Sequence, residues 1–428
     1  MVRLKRRKAG ESEPGGTDVC FYFQVHQPMR IRRLQAFRRP ERYDYWDAAK
    51  DREILDRASR KCYLPANRLI LDLIEQTEGS FRVAYSLSGV FLDQIERHRP
   101  DVLESFQALA RTGHVEFLAE TYYHSLCGLW DDPTEHKEQI EAHRKTIRRL
   151  FGQTPTVFRN TELIYDDRIA ATARDLGFDA IITEGTEKIL GDRSPNRVYR
   201  PVGMSGPKVL LKNYRLSDDI AFRFSTPGWN EAPLTADKYA HWLSTTPGDT
   251  INLFMDYETF GEHQWPETGI FEFLRHLPNE AARYPHLRFA LPSEVAADHG
   301  PVDELHVPHA ISWADTERDV SAWLHNKMQH MCFERLKALA PTVRAAGDPE
   351  LMHAWRLLQT SDHLYYCSTK SLDDQDIHNY FSPYDSPYIA FINYTNAIDD
   401  LEAKSRGLVE ERPSDGSHDP PPAPMSMA

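Results

Sequence analysis

Acidic, imidazole and aromatic side chains follow several apolar runs of the sequence, at the points where strands would end. One run leads into His26, a later one into Glu162 and another into Asp256. If these points meet at one rim, two carboxyl groups lie together there. Such a pair can cleave a glycosidic bond, because that reaction needs one carboxylic acid to protonate the leaving oxygen and a second carboxylate at the anomeric carbon.

The segments around these residues have the composition of a sugar-binding site. Residues 120–124 contain a carboxylate, two tyrosines and a histidine, and residues 256–265 add further carboxylates, a histidine and aromatic rings. Carboxylates and imidazoles form hydrogen bonds with hydroxyl groups, while aromatic rings offer apolar surface to the faces of a sugar ring. The mixture therefore favours a carbohydrate ligand.

The elements that must position these residues can be predicted from the alternation of strand and helix patterns. Short β-branched or aromatic runs alternate with helical patterns, which predicts an α/β fold of parallel strands joined by crossover helices. In a parallel barrel the active site forms at the carboxyl ends of the strands, where the polar residues stand. The predicted strands cover residues 19–25, 81–87, 115–119, 156–159, 180–183, 208–212 and 250–255.

The strand pattern divides the chain into a barrel and a helical region. We expect the barrel over residues 18–305 and the helical region, which completes the active-site cleft, over residues 306–404. Residues 1–17 and 405–428 are polar and rich in charged residues or proline, so both are predicted to be disordered tails.

Composition excludes several classes of protein. A net charge of −13 argues against broad nucleic-acid binding, and the basic residues between Arg30 and Arg42 are expected to form a solvated or ion-paired face. No long apolar run predicts a membrane span, and no apolar segment follows the basic start as in a signal peptide, so a cytoplasmic location is expected. The five cysteines are widely spaced, which predicts reduced, buried thiols.

Five ordered motifs of the chain resemble the five sequence regions of glycoside hydrolase family 57, and most closely its α-amylase-like subgroup. The resemblance runs from about residue 20 to about residue 400. The motifs are HQP at 26–28, GHVEFLAETYYH at 113–124, FRNTELIYDD at 158–167, FMDYETFGEHQW at 254–265 and SWADTERDVSAWLHNKMQ at 312–329.

The resemblance implies an incomplete (β/α)7 barrel of the TIM type with a C-terminal helical bundle. It also implies retaining hydrolysis of α-1,4-glucans, such as starch, glycogen or maltooligosaccharides, without a metal or other cofactor. By the same resemblance Glu162 is the nucleophile and Asp256 the general acid/base. Two tryptophans that some family members carry are replaced here by Arg159 and His263, so the subsites of those members cannot be transferred to this chain.

Further residues of the motifs are candidates for sugar contact, and each also has a purely structural interpretation. His26 could instead fix the turn before Pro28, and Glu116 lies inside a strand, where a buried ion pair is nearly as well supported. Asp319 stands near the start of a predicted helix, where a carboxylate is favoured electrostatically. The predicted substrate-binding residues are His26, Glu116, Glu258, His263, Trp265, Trp313 and Asp319.

Several functions remain open on the sequence alone. The same site could transfer glucan segments, as a 4-α-glucanotransferase or branching enzyme does, or the protein could bind glycans without turnover. A metal-dependent polysaccharide deacetylase would need an Asp-His-His metal set, but the histidine pairs of this chain fall on predicted helices. The oligomeric state is not predicted.

Overall fold

The computed structural model describes residues 16–34, 40–370 and 382–411, and in these ranges the chain folds as an α/β barrel with a helical C-terminal region. The strands are β1 (Thr17–Val25), β2 (Val83–Leu87), β3 (Val115–Phe117), β4 (Val157–Arg159), β5 (Ala180–Glu184), β6 (Val198–Pro201), β7 (Lys208–Lys212), β8 (Thr250–Asp256), β9 (Leu287–Phe289) and β10 (Asp303–Leu305).

The helices lie mainly between the strands and after the last of them. They are α1 (Ala48–Ala58), α2 (Leu64–Gln76), α3 (Gly89–His98), α4 (Pro100–Arg111), α5 (Thr134–Phe151), α6 (Asp167–Asp175), α7 (Glu187–Leu190), α8 (Tyr214–Ala221), α9 (Ala236–Thr245), α10 (Ile270–Ala281), α11 (Pro292–Asp298), α12 (Lys327–Ala346), α13 (Pro349–Leu357), α14 (Ser361–Tyr365) and α15 (Pro387–Glu410).

The seven strands predicted from the sequence are present, and they follow one another in parallel around a barrel. β1 pairs with β2, and β2 pairs with β3. A single bridge between Ala119 and Phe158 joins the chain after β3 to β4, which pairs with β5. β5 pairs with β7, β7 meets β8 at Lys212 and Asn252, and β8 pairs with β1. The arrangement is an incomplete (β/α)7 barrel, thinnest at these two short junctions.

Three short strands extend the barrel. β6 is antiparallel to β7 and carries β10, while β9 pairs with the first residues of β1. They escaped the sequence prediction because, unlike the equally short β3 and β4, they are not buried throughout and so do not form apolar runs.

Crossover helices begin at residues that also serve the barrel rim. The backbone turns from β2 into α3 at Ser88, whose hydroxyl oxygen accepts a hydrogen bond from the Phe91 N–H. Ser88 thereby caps the helix. Since β2 ends at Leu87, the same residue stands at the carboxyl end of the strand, where its hydroxyl also reaches His26.

The C-terminal helices share one apolar core with part of the barrel. Phe158 of β4 and Val209 of β7 belong to the same buried cluster as Trp355 of α13 and Leu401 of α15. The predicted boundary after residue 305 falls at the end of β10. The predicted C-terminal tail begins too early, because α15 continues to Glu410 and buries Ser405.

Other expectations from composition have mixed outcomes. All five cysteines are free thiols and buried, as predicted. Arg30, Arg32, Arg33 and Arg42 each form an ion pair with an aspartate or glutamate, whereas Arg38 and Arg39 lie outside the described residues. Residues 1–15 and 412–428, predicted as tails, also lie outside them. In the described part of the chain no helix is long and apolar enough to cross a membrane.

Candidate active site

Polar side chains collect at the carboxyl ends of the parallel strands. β4 ends at Arg159, β5 at Glu184, β7 at Lys212 and β8 at Asp256. The chain after β1 continues directly into His26. Because parallel strands end on the same side of a barrel, these residues share one rim.

Glu162 stands in a short helical turn, Thr161–Leu163, that follows β4. Its φ of 57° lies in the left-handed region, which is uncommon for a residue with a side chain and costs about 1 kcal/mol. A backbone contact holds the turn: the main-chain N–H of Trp313 donates a hydrogen bond to the main-chain carbonyl oxygen of Glu162 over 3.3 Å. Strained backbone of this kind clusters at functional sites, where it fixes the direction of a side chain.

Three side chains hold the Glu162 carboxylate. Trp313 Nε1 donates to Oε2 over 2.7 Å, and the Ser361 hydroxyl donates to Oε1 over 3.2 Å. His124 Nε2 lies 3.3 Å from Oε1. Burial alone would raise the pKa of Glu162, but the hydrogen bond and positive charge of His124, together with the charge of Arg159, lower it below its ordinary value. Glu162 is therefore held as an ionised group.

Asp256 behaves in the opposite way. Burial and the negative charge of Glu162 raise the pKa of Asp256 to about 6, although the positive charges of Arg159, Lys212 and His124 oppose the rise. The effect of Glu162 shows that the two carboxyl groups interact electrostatically across the site. Two carboxyl groups whose pKa values are pushed apart can act as a base or nucleophile and as an acid in the same pH range.

His124 is the cation that keeps Glu162 ionised. Its Nδ1 lies 3.0 Å from Oε2 of Glu120, which is fully buried, and its Nε2 faces Glu162. Burial disfavours a charged imidazole, but the hydrogen bonds and charges of Glu120 and Glu162 raise the pKa of His124 to about 9. At neutral pH both ring nitrogens carry protons and donate to the two carboxylates.

His26 lies against His124 and differs from it in charge. The two rings stack with centroids 4.0 Å apart and planes 13° apart. Burial and the charge of His124 lower the pKa of His26 below its ordinary value, so its ring is neutral at pH 7. Nε2 lies 3.0 Å from the Asp362 carboxylate and Nδ1 2.7 Å from the Ser88 hydroxyl. The neutral ring therefore donates from Nε2 to Asp362 and accepts from Ser88 at Nδ1.

Glu258 and His263 lie in the turns that follow β8. Glu258 accepts hydrogen bonds from the Tyr63 hydroxyl and from Gln27 Nε2, the latter over 3.3 Å. Burial and the charge of Asp256 raise the pKa of Glu258 to about 8. The His263 N–H donates to the Glu258 carbonyl oxygen over 2.9 Å, and burial lowers the pKa of His263 to about 4.

The two candidate tryptophans have different settings. Trp313 is half-buried, and its indole is hydrogen-bonded to Glu162. Trp265 is 60% exposed, with Lys61 Nζ 5.8 Å from its ring centroid. Trp313 thus holds a catalytic candidate, whereas Trp265 offers an open ring surface.

The contacts of Glu116 and Asp319 do not join them to the Glu162 cluster. Glu116 is buried in β3, where it accepts hydrogen bonds from the N–H and the hydroxyl of Ser293, both over 3.0 Å. Asp319 accepts from the Ser321 N–H over 2.9 Å, in a turn that precedes α12 by several residues. The predicted helix start near Asp319 is wrong, because α12 begins at Lys327.

Sequence reasoning assigned no individual role to several residues of the cluster. Glu120 and His124 lie in a motif at the end of a strand, and this position was the one sequence feature that indicated a role in the site. Arg159 ends β4 directly before the Glu162 turn, so its place was visible but its burial was not. Ser361 and Asp362 come from α14, and no spacing connects them with residues of the barrel.

A barrel with an ionised and a proton-retaining carboxyl group at its carboxyl rim carries the two types of group that a glycoside hydrolase needs. Comparison with known proteins places the chain within this class. The sequence profile of the family described as Glycosyl hydrolase family 57 matches residues 20–308. The chain therefore belongs to glycosyl hydrolase family 57.

Relatives with assigned names agree with this class. A Methanocaldococcus jannaschii protein, provisionally named as an alpha-amylase, is 50% identical over 396 residues, which are 90% of this chain and 84% of that protein. An alpha-amylase of Pyrococcus horikoshii is 24% identical over 217 residues, 50% of this chain, and the match spans 32% of its length. Family and relatives together support an enzyme of the glycoside hydrolase type.

Solved structures confirm the fold. The GH57-type branching enzyme from Pyrococcus horikoshii superposes with a TM-score of 0.64 at 15% identity, covering 96% of this chain and 100% of that one. The 4-alpha-glucanotransferase from Thermococcus litoralis gives a TM-score of 0.56 at 17% identity, covering 89% of this chain and 55% of that one. At these identities the likeness is one of fold alone.

Among the described side chains, no group of three or more His, Cys, Asp and Glu residues is arranged to hold a metal ion.

Proposed function

We propose that this protein is a retaining glycoside hydrolase that cleaves α-1,4-glucans in the manner of an α-amylase, with Glu162 as nucleophile and Asp256 as general acid/base. The observation that carries the proposal is the contrast between the two carboxyl groups. Glu162 is held ionised by three hydrogen-bonding side chains, whereas burial and the charge of Glu162 keep a proton on Asp256 up to a pKa of about 6.

In the first step the Glu162 carboxylate attacks the anomeric carbon while Asp256 gives its proton to the leaving glycosidic oxygen. The carbon–oxygen bond to the leaving chain breaks, and a glycosyl ester forms on Glu162. In the second step the ionised Asp256 takes a proton from water, which attacks the same carbon and releases Glu162 as a carboxylate. Two inversions give net retention.

The surrounding residues would bind and orient the sugar. His26 and Glu258 flank the pair and carry polar atoms suited to hydroxyl groups, and His263 lies beside Glu258 in the next turn. Trp265, with its open ring, is proposed as a stacking surface at the edge of the site. Glu116 and Asp319 are left out of the proposed site, because their contacts lie elsewhere.

The names of the relatives support an α-glucan substrate. With this substrate the same site could carry out either of two reactions. Water as acceptor gives hydrolysis, whereas a second glucan as acceptor gives transfer, as in the structural neighbours that are a branching enzyme and a glucanotransferase. Glycan binding without turnover is less well supported, because both carboxyl groups are present at the rim and their pKa values are shifted in opposite directions. The cytoplasmic location stays a prediction from the sequence.

Incubation with maltoheptaose tests the proposed activity. We expect only shorter oligosaccharides when the products are separated by size, because water reaches the ester formed on Glu162. Oligosaccharides longer than the substrate would instead show transfer, and an unchanged substrate that still binds would favour the non-catalytic alternative. The Glu162→Gln variant is the matched control for contaminating activity.

The two pKa shifts predict an acidic optimum for kcat/KM. Glu162 must be ionised, so activity falls only below its lowered pKa, which lies under 4.5. Asp256 must be protonated, so kcat/KM should decline by about tenfold per pH unit above pH 6. The measurement is kcat/KM for a soluble maltooligosaccharide from pH 3 to pH 9.

Glu258 provides the control for this profile. Its pKa is raised to about 8, so an alkaline limb near pH 8 would identify Glu258, rather than Asp256, as the proton donor. In the Glu258→Gln variant the limb near pH 6 should remain, even if affinity for the sugar falls. A profile flat to pH 9 would contradict the role of Asp256.

A further inference from the structure

Arg159 is a buried cation whose nitrogen atoms form no hydrogen bonds with the protein. The side chain is 0% exposed, and Nε, Nη1 and Nη2 all lack a partner. A guanidinium group removed from water without hydrogen bonds destabilises a fold. A residue kept only for stability would use its donors, so this arrangement points to a role in the site.

The packing of Arg159 connects it to the nucleophile through one ring. Its guanidinium carbon lies 5.1 Å from the centroid of Trp313, within the range of a cation–π contact. Lys212 Nζ lies 5.4 Å from the same ring. Trp313 in turn donates its indole N–H to Glu162 over 2.7 Å. The cations therefore pack on the ring that orients the nucleophile.

The charge of Arg159 is only loosely balanced. Its nearest carboxylate is Glu120, at 3.7 Å from Nη1, a distance beyond a hydrogen bond. Glu120 is already engaged by His124 at 3.0 Å and by the Ser86 hydroxyl at 2.9 Å. Much of the Arg159 charge is thus available to the groups around it, which include Glu162 and Asp256.

We propose that Arg159 is the positioning residue of the catalytic pair: it packs on Trp313, which holds Glu162, and it places a fixed positive charge close to both carboxyl groups. The inference rests on the roles proposed above for Glu162 and Asp256. It assigns Arg159 no contact with substrate, since the side chain is closed to solvent.

The fixed charge has its main consequence in the second step of the reaction. Once Glu162 is an ester its negative charge is gone, and of the two causes that raise the pKa of Asp256 only burial remains. The positive charges of Arg159, Lys212 and His124 remain and favour the ionised form of Asp256, which is then a base for water. Arg159 thus helps the same carboxyl group to act as acid first and base afterwards.

Other charged or titratable groups also face the pair, and they set the background for any change at Arg159. Those near Asp256 include Glu258 from the turn after β8, and those near Glu162 include the His124 and Glu120 pair after β3. Tyr22 of β1 also lies within reach of the charges of Arg159 and Asp256. Glu120, Glu162 and Tyr22 also feel the charge of Arg159, so the comparison of Arg159→Met with Arg159→Lys, which retains the charge, separates the effect of the charge from that of the side-chain shape.

The experiment measures the protonation of Asp256. A water-soluble carbodiimide together with an amine modifies protonated carboxyl groups, so the extent of labelling at Asp256 reports its protonated fraction. Labelled peptides are quantified by mass spectrometry from pH 4 to pH 9 in wild type and in Arg159→Met. Loss of the nearby positive charge should move the midpoint at Asp256 to higher pH by roughly one unit. Arg159→Lys retains the charge, and its midpoint should stay close to that of wild type.

Turnover of α-glucosyl fluoride supplies the second readout. At pH 5 Arg159→Met should accumulate the glycosyl-enzyme, because Asp256 stays protonated and activates water poorly. Azide, a nucleophile that needs no base, should restore release of the sugar. A purely structural residue would not give this pattern. Arg356→Met is the matched control: it removes an arginine bonded to Glu135, so it should lower Tm without moving either readout.

The outcomes separate this inference from the proposed function. Arg159→Met should fold with a Tm equal to or above that of wild type, since replacing a poorly bonded buried charge with an apolar side chain is neutral or stabilising; if it does not fold, Arg159→Gln is neutral and should show the same shift. An unchanged Asp256 midpoint in a folded neutral variant overturns the inference. If the Asp256 midpoint shifts in Arg159→Met but the wild-type protein shows no glycosidase activity, the inference about Arg159 stands and the proposed function is refuted.

Discussion

Glu162→Ala should lower the hydrolysis of every α-glucan by a factor on the order of 10⁴ or more, because no glycosyl-enzyme can form without the carboxylate. The substitution also leaves room where the carboxylate stood. Azide added to this variant should enter that space and attack α-glucosyl fluoride directly. Fluoride release, followed with an ion-selective electrode, should therefore recover with increasing azide.

A surface variant controls for the Glu162 result. Glu272 lies on α10 with its side chain 65% exposed, and Glu272→Ala should retain wild-type activity without any response to azide. If Glu162→Ala kept more than about a tenth of wild-type activity in the absence of azide, Glu162 would not be the nucleophile.

Asp256→Ala should divide substrates according to their leaving groups. Loss of the general acid should slow maltooligosaccharide hydrolysis by about 10² to 10⁴-fold. α-Glucosyl fluoride needs little protonation of its leaving group, so it should still form the ester on Glu162 rapidly. The measurement is a burst of fluoride followed by slow turnover, since water activation is also lost.

Azide again separates the two steps in Asp256→Ala. It should accelerate steady-state fluoride release, because it attacks the accumulated ester without a base. Equal losses for maltooligosaccharide and for α-glucosyl fluoride, with no burst, would mean that Asp256 does not protonate the leaving group.

The barrel could be predicted from the sequence because its strands are local features. Each parallel strand is buried on both faces and shows as a short apolar run, and the run over residues 208–212 coincides with β7. The polar residue after a run, such as Asp256 after the eighth strand, then marks the rim. The strand runs thus indicated the rim positions, whereas the choice of Glu162 and Asp256 as the proposed pair came from the resemblance to the family.

Glu116 shows the limit of that reasoning. It lies on the same side of its chain as Glu120, since side chains alternate along an extended segment. The four steps along the chain from one to the other correspond to about 13 Å along a strand. Glu120 therefore reaches His124 at the rim, whereas Glu116 stays deeper in the barrel and bonds to Ser293. A motif match does not report depth.

The loop before α12 could not be predicted because tertiary contacts override its helical pattern. Residues 317–326 show amphipathic spacing, but Arg318 reaches across to Glu184 at 2.8 Å and Asp218 at 3.1 Å. These ion pairs hold the loop over the barrel rim and bring Trp313 to Glu162. Local pattern carries no information about such partners, which are a hundred or more residues away in the chain.

His124 and Arg159 were missed for a related reason. The proposed role of each residue depends on its positive charge and on its neighbours. His124 lies between the carboxylates of Glu120 and Glu162, and Arg159 lies against the indole of Trp313. Burial determines whether a charge is screened by water or acts on its neighbours, and burial at a strand end depends on the packing of the helical region. The sequence thus predicts which carboxyl groups react, but not which cations set their protonation.

The division of labour between Glu162 and Asp256 is tested most directly by the anomeric configuration of the glycosyl azide, measured by NMR in both alanine variants supplied with α-glucosyl fluoride. Attack on the substrate in Glu162→Ala should give the β-azide, by a single inversion. Attack on the ester in Asp256→Ala should give the α-azide, with net retention. The β-azide from Asp256→Ala together with the α-azide from Glu162→Ala would contradict the assignment and reverse the two roles.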